Sequence, residues 1–131
     1  MQDLCAAALC VSHARAAVAV GGLLLAAPAS AQGVKIGILN DQSGVYADYG
    51  GKWSFEAAKM AVEDFGGEVL GRKVEIIAAD PRNKADLAAS IARDMLDNQG
   101  VEMLYDVAAS ATALAAGEIA KARNKIVMYS G

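Results

Sequence analysis

A doubly wound α/β fold, with about four parallel strands and three helices, is the architecture this chain predicts. Three observations predict it. From Val34 onward, short β-branched apolar runs alternate with helix-patterned stretches in the order βαβαβαβ. The links between them are short enough for crossover connections in one parallel sheet. Composition agrees, since 55% of the residues are hydrophobic but only 5% aromatic. Abundant alanine suits helices lying close on a sheet, and this hydrophobic share is far from that of a disordered chain. With 131 residues, there is room for one small domain at most.

Each element has a local reason. Val34 to Leu39 (VKIGIL) is a first strand, apolar enough for burial on both faces, and Gly37 within it predicts close approach of another backbone. The polar loop Asn40 to Gly50 follows, then a helix from Gly51 to Phe65. Its apolar residues Phe55, Ala58, Val62 and Phe65 form one stripe, while Lys52, Glu56, Lys59 and Glu63 line the outer face. Gly66 and Gly67 stop it. Gly71 turns the chain into a second strand, Lys73 to Ala79, ending at Asp80-Pro81. Asn83 is placed to cap a helix from Lys84 to Asn98 that buries Ala88, Ile91 and Met95, with Asp86 in its first turn and Gly100 at its end. A third strand, Glu102 to Val107, leads through Ala108-Ala109 into a helix reaching Arg123, with Ala115, Ile119 and Ala122 inward and Asn124 as its stop. Lys125 to Tyr129 is the fourth strand. A strand so near the last residue leaves an edge with no following helix, so the chain reads as a truncated piece whose open edge invites association.

The first 31 residues read as a signal peptide. Ala16 to Ala27 is an uncharged apolar run, too short to span a bilayer but suited to a signal-peptide core. Arg15 and His13 precede it, and Ala29-Ser30-Ala31 supplies a cleavage site after Ala31. Both cysteines, Cys5 and Cys10, lie in this leader and neither follows the apolar core, so no lipid anchor is expected. The mature chain, residues 32–131, then has no cysteine, which excludes a disulfide, a thiol nucleophile or a cysteine-built metal site there. It also has no histidine. Removing the leader takes away one acid, Asp3, and one base, Arg15, so the net charge stays at −3. No basic cluster exists to meet nucleic acid.

Chemistry belongs to the loops at the strand ends. Asp41, Asp80 and Asp106 stand there and suit either Mg²⁺, as in a receiver-like phosphoacceptor domain, or simple turn and helix capping. Nucleotide-binding motifs are missing. A phosphate loop ending in Gly51-Lys52 needs glycine where Tyr46 stands and a hydroxyl where Trp53 stands, and no G-x-G-x-x-G follows the first strand. Ser43 lacks a nucleophile-elbow frame and a histidine to activate it. Recognition remains. Ser110 opens a helix, where free N–H groups and the helix dipole favour a carboxylate, although plain capping would also use it. Tyr46 and Tyr49 offer flat apolar area with a polar tip, for a small ligand or for packing over the helix start.

These blocks, KIGILNDQSGVYADYGGKWSFEAAKMAVEDFGG, VLGRKVEIIAAD, NKADLAASIARDML and DVAASATALA, resemble the type I periplasmic solute-binding proteins of ABC importers, in the leucine/isoleucine/valine-binding branch. The resemblance covers nearly all of the chain from Lys35, but less than half of a full family member. It implies part of the N-terminal lobe of a two-lobed fold that closes on its ligand and docks on a permease. Tyr49 then matches a first-loop aromatic of the pocket. Ala109 and Ser110 match the loop that holds the ligand carboxylate. The family often has a second hydroxyl residue where Ala111 stands and a larger or polar residue at Ala109. The implied function is a periplasmic substrate-binding subunit for amino acids or related small carboxylates, without catalysis, metal or cofactor, and impaired by truncation. Tyr49, Tyr46, Ser110, Ala109 and Ser43 are its expected ligand-binding residues. A ligand-sensing receptor domain would share the fold, and saturable Mg²⁺ binding would instead favour the phosphoacceptor reading.

Overall fold

A computed structural model describes residues 32–130. The predicted leader, with its expected cleavage site and both cysteines, lies outside the described residues. The described chain runs β1 (Val34–Leu39), α1 (Gly51–Asp64), β2 (Glu68–Val69), β3 (Arg72–Ala79), α2 (Ala85–Asp97), β4 (Val101–Tyr105), α3 (Ser110–Lys121) and β5 (Ile126–Val127). The predicted doubly wound α/β sheet and its three helices are all present.

The sheet order is β2-β3-β1-β4-β5, and β3, β1, β4 and β5 are mutually parallel. The strand missing from the sequence reading is β2, two residues paired antiparallel with β3, which makes the sheet five-stranded and mixed. Leu70 and Gly71 form its two-residue turn with φ of 51° and 73°. Two successive left-handed residues are the signature of a type I′ hairpin, usually written Asn-Gly or Asp-Gly. Leucine in the first position hides that signal.

Register assigns the faces. Gly37 lies opposite Ile77 on β3 and Leu104 on β4, while its neighbour Ile36 lies opposite Ile76 and Met103. The first row faces α2 and α3. Leu39, Ala88, Ala92, Met95, Leu104, Ala116 and Ala120 pack there into a buried core, each at most 1% exposed. Gly37 is needed on that face for a reason other than the predicted backbone approach: a Cβ there would lie 3.0 Å from Met95 Sδ and 3.2 Å from atoms of Leu104 and Val101. Side chains fill its space.

The helices differ from their predicted stripes where packing decides. α3 buries Thr112, Ala116 and Ala120, roughly one position away from the stripe read in the sequence, and Ala122 is exposed. Its run of small residues offers almost no contrast between faces, so tertiary contact sets the rotation. Phe65 caps the end of α1 and is 72% exposed, not inward. Lys84 in place of Asn83 occupies the cap position of α2, and Asn83 sits in the left-handed turn before it, at φ 52°. Gly66, Gly67 and Gly100 do end their helices with positive φ, as expected.

Two ion pairs join elements within a layer, one across the sheet at the end away from the strand-end loops and one between two helices. Arg72 bonds the carbonyls of Gln32 and Gly33 and pairs with Glu102 across β1. Arg123, just past α3, donates to both oxygens of Asp97 of α2, from Nε at 2.5 Å and from Nη2 at 2.6 Å. Hydrogen bonding from these guanidiniums holds the Asp97 and Glu102 carboxyls below their ordinary range.

Candidate functional site

In the strand order β3-β1-β4, the chain moves from β1 to one side and later crosses to the other. The carboxyl ends of β1 and β4 therefore flank a topological switch point, where open α/β sheets place their ligands. A cavity of about 250 Å³ opens there. Asn40 and Asp41 enter it from the end of β1, Gly50 and Ser54 from the start of α1, and Tyr105, Asp106 and Ala109 from β4 and its loop.

The loop from Asn40 to Gly50 is held by its own acids. Asp41 is 6% exposed, and its two oxygens accept the N–H groups of Gly44 (2.8 Å) and Tyr46 (3.0 Å). Asp80, at the end of β3, accepts the Ser43 hydroxyl at 2.6 Å, the Arg82 N–H at 2.8 Å and the Gln42 N–H at 3.2 Å. Burial alone would push the Asp80 carboxyl up, but these hydrogen bonds outweigh it and hold it below its ordinary value. Each carboxylate thus shapes a turn. Among the described residues, no group of three or more His, Cys, Asp or Glu is placed to hold a metal ion.

Four of the five sequence-predicted site residues come together. Tyr46, Tyr49 and Ala109 line the main cavity, and the same three join Ser110 around an adjoining recess of about 170 Å³. Tyr49 is 80% exposed, so its ring is not consumed by packing over α1. Ser110 is the exposed first residue of α3, and the capping position belongs to Ala109, with no side-chain cap bond. The first N–H groups of any helix have no partner within it, and those of α3 begin at this recess. Thr112, buried at 2% exposure, donates to the Ala109 carbonyl at 2.8 Å and steadies the turn. The fifth residue, Ser43, lies apart from the cavity lining, bound to Asp80.

The sequence reading passed over Asn40. It is 3% exposed, and its amide nitrogen donates to Asp106 Oδ2 and to the Gly51 carbonyl, both at 2.8 Å. The hydroxyl of Ser130, just after β5, donates to the other oxygen of Asp106. Asp106 itself is 6% exposed and left-handed, at φ 59°. One carboxylate therefore joins the ends of three strands to the first turn of α1. A polar residue directly at the end of an apolar strand was the available signal for Asn40.

Comparison with known proteins agrees with this geometry. A family model described as periplasmic binding protein matches residues 33–131. No curated protein sequence matches the chain. Among solved structures, a periplasmic binding protein from Burkholderia mallei is 46% identical, with a TM-score of 0.73 over 76% of this chain and 26% of that one. A branched-chain amino acid ABC transporter ligand-binding protein from Burkholderia xenovorans is 45% identical, with a TM-score of 0.69 over 72% of this chain and 25% of that one. A leucine-binding protein from Thermotoga maritima is 28% identical, with a TM-score of 0.66 over 73% and 27% of the two chains. The chain belongs to the periplasmic binding protein family, and it matches part of one lobe of that fold. It spans about a quarter of the length of these three structures. No helix among the described residues is long and apolar enough to cross a membrane.

Proposed function

We propose that this chain is the ligand-receiving part of a periplasmic substrate-binding subunit of an ABC importer, for amino acids or related small carboxylates. The observation that carries the proposal is the cavity at the β1/β4 switch point, ringed by loops, in a chain of this family. Tyr46 and Tyr49 supply the apolar wall. Ala109 and Ser110 present the start of α3 to a carboxylate, where unpaired N–H groups and the helix dipole stabilise negative charge. Ser43 serves the site by fixing the loop that carries the tyrosines. The leader, residues 1–31, is cleaved after Ala31 on export, and the permease is the partner of the assembled protein. The chain works by binding alone.

Thermal unfolding against a panel of amino acids and small carboxylates tests this reading. A ligand that binds only the folded chain raises the midpoint in a concentration-dependent way. Replacing Tyr49 by Ala, on an exposed loop, leaves the unliganded midpoint nearly unchanged and abolishes most of that rise. A flat response across the whole panel would sink the proposal.

A further inference from the structure

Cleavage after Ala31 makes Gln32 the first residue of the exported chain, and the nitrogen that joined it to Ala31 becomes a free α-amine. A glutamine in that place carries its own electrophile, the side-chain amide carbon Cδ. The α-nitrogen reaches Cδ by closing a five-membered ring. The chain itself holds the two groups together, so the reaction is effectively unimolecular. The structure leaves this end open to it. Gln32 is exposed, at the amino-terminal end of the sheet just before β1. Its amide lies beside Gly100, where a Cβ would stand 3.6 Å from Nε2.

What the structure anchors here is the backbone. Arg72 donates from Nε to the Gln32 carbonyl at 2.7 Å and from Nη2 to the Gly33 carbonyl at 3.2 Å. At Gly33 a Cβ would lie 2.9 Å from the Lys73 carbonyl oxygen, so the chain is pressed against β3 one residue later. Ring closure uses neither carbonyl, and the anchor survives it. The same anchor favours the reaction. Glu102, the acid at this anchor, is already paired with Arg72. An ammonium on Gln32 would stand beside that guanidinium, and like charge disfavours the protonated amine. Only the unprotonated amine attacks Cδ.

We propose that Gln32 is a modification site, which cyclises to pyroglutamate once the leader is removed. The α-nitrogen bonds to Cδ, the Cδ–Nε2 bond breaks, and Nε2 leaves as ammonia with the proton given up by the amine. The reaction needs no oxidant, reductant or second substrate. Its product is a neutral lactam, which removes the terminal charge and blocks aminopeptidases that require a free α-amine. The inference rests on the export reading, through cleavage after Ala31, and goes beyond it.

The test is the intact mass of the chain purified from the periplasm of an expressing bacterium. The expected mass is that of residues 32–131 less one ammonia, and pyroglutamyl peptidase acting on the unfolded chain should expose a free amine at Gly33. Any uncyclised remainder should convert on incubation, at a rate independent of protein concentration. Gln32→Ala, at an exposed position outside the core, should keep its full mass and a free amine. A chain that begins at Gln32 and holds a free amine throughout incubation overturns the inference and leaves the export reading standing. Loss of ammonia from the Gln32→Ala chain also overturns it, because the loss then comes from another residue. A mature chain that begins elsewhere removes both the inference and the cleavage after Ala31.

Discussion

The two faces of this sheet are built from the same strands, yet they are buried to very different extents. On one face, α2 and α3 lie side by side, and their alanines let both backbones approach Leu39 and Leu104 closely. On the other, α1 stands alone. Gly51 is its one buried residue, and Ala57 and Ala61, both exposed, line an apolar groove of about 360 Å³ between α1 and the sheet. Ile36, Ile76, Met103 and Met128 floor that groove, and Met128 is 49% exposed. Apolar character in a strand therefore does not ensure burial. Two helices seal a face of this width, and one covers only part of it.

Neighbouring residues on β4 offer the sharpest way to break that comparison. Leu104 is fully buried on the two-helix face, whereas Met103 floors the open groove. Leu104→Ala should cost about 2–5 kcal/mol, the range for a buried leucine truncated to alanine. Met103→Ala should cost under about 1 kcal/mol, because its site is already wet and leaves no sealed cavity. Urea unfolding of both variants measures the difference, and equal losses would mean that the faces are equally packed.

A smaller effect comes from adding volume. Gly37→Ala places a methyl against Met95, Leu104 and Val101, and overpacking of this kind costs about 1–3 kcal/mol. Shortening Met95 in the same chain should return part of that loss, since the two sites are in contact. A Gly37→Ala chain as stable as the parent would show that the two-helix face has slack. The smallest effect lies away from both faces, in the β2–β3 turn. Leu70 is 97% exposed at φ 51°, and Leu70→Asn should stabilise by about 0.5 kcal/mol, since asparagine tolerates that backbone better. The thermal midpoint should rise slightly, and a fall would mean that the leucine has a packing role.

Much of the fold was legible because its signals are local. The runs Val34 to Leu39 and Lys73 to Ala79 matched strands almost to the residue, and Gly66, Gly67 and Gly100 marked helix ends by their freedom at positive φ. The first and last turns were less legible. Asn83 carried a capping residue type but sits before the helix in a left-handed turn, and Leu70 disguised a hairpin. Of the candidate site, residue type and loop position were enough to select Tyr46, Tyr49 and Ser110, the family resemblance added Ala109, and the structure gathers all four around one opening. Asn40 was missed because nothing next to it in sequence reveals its partner.

The sequence by itself determined the alternation of strand and helix, the family, and the loops that carry polar chemistry. The first and last of these follow from spacing along a few consecutive residues, and the family from the resemblance of several ordered blocks. Only the tertiary structure decided which face is sealed, how α3 is rotated, and that Asn40, Asp106 and Ser130 meet. Those outcomes depend on strand order. In a parallel sheet, neighbours are far apart along the chain, and the periodicity of one segment holds no record of the segment beside it.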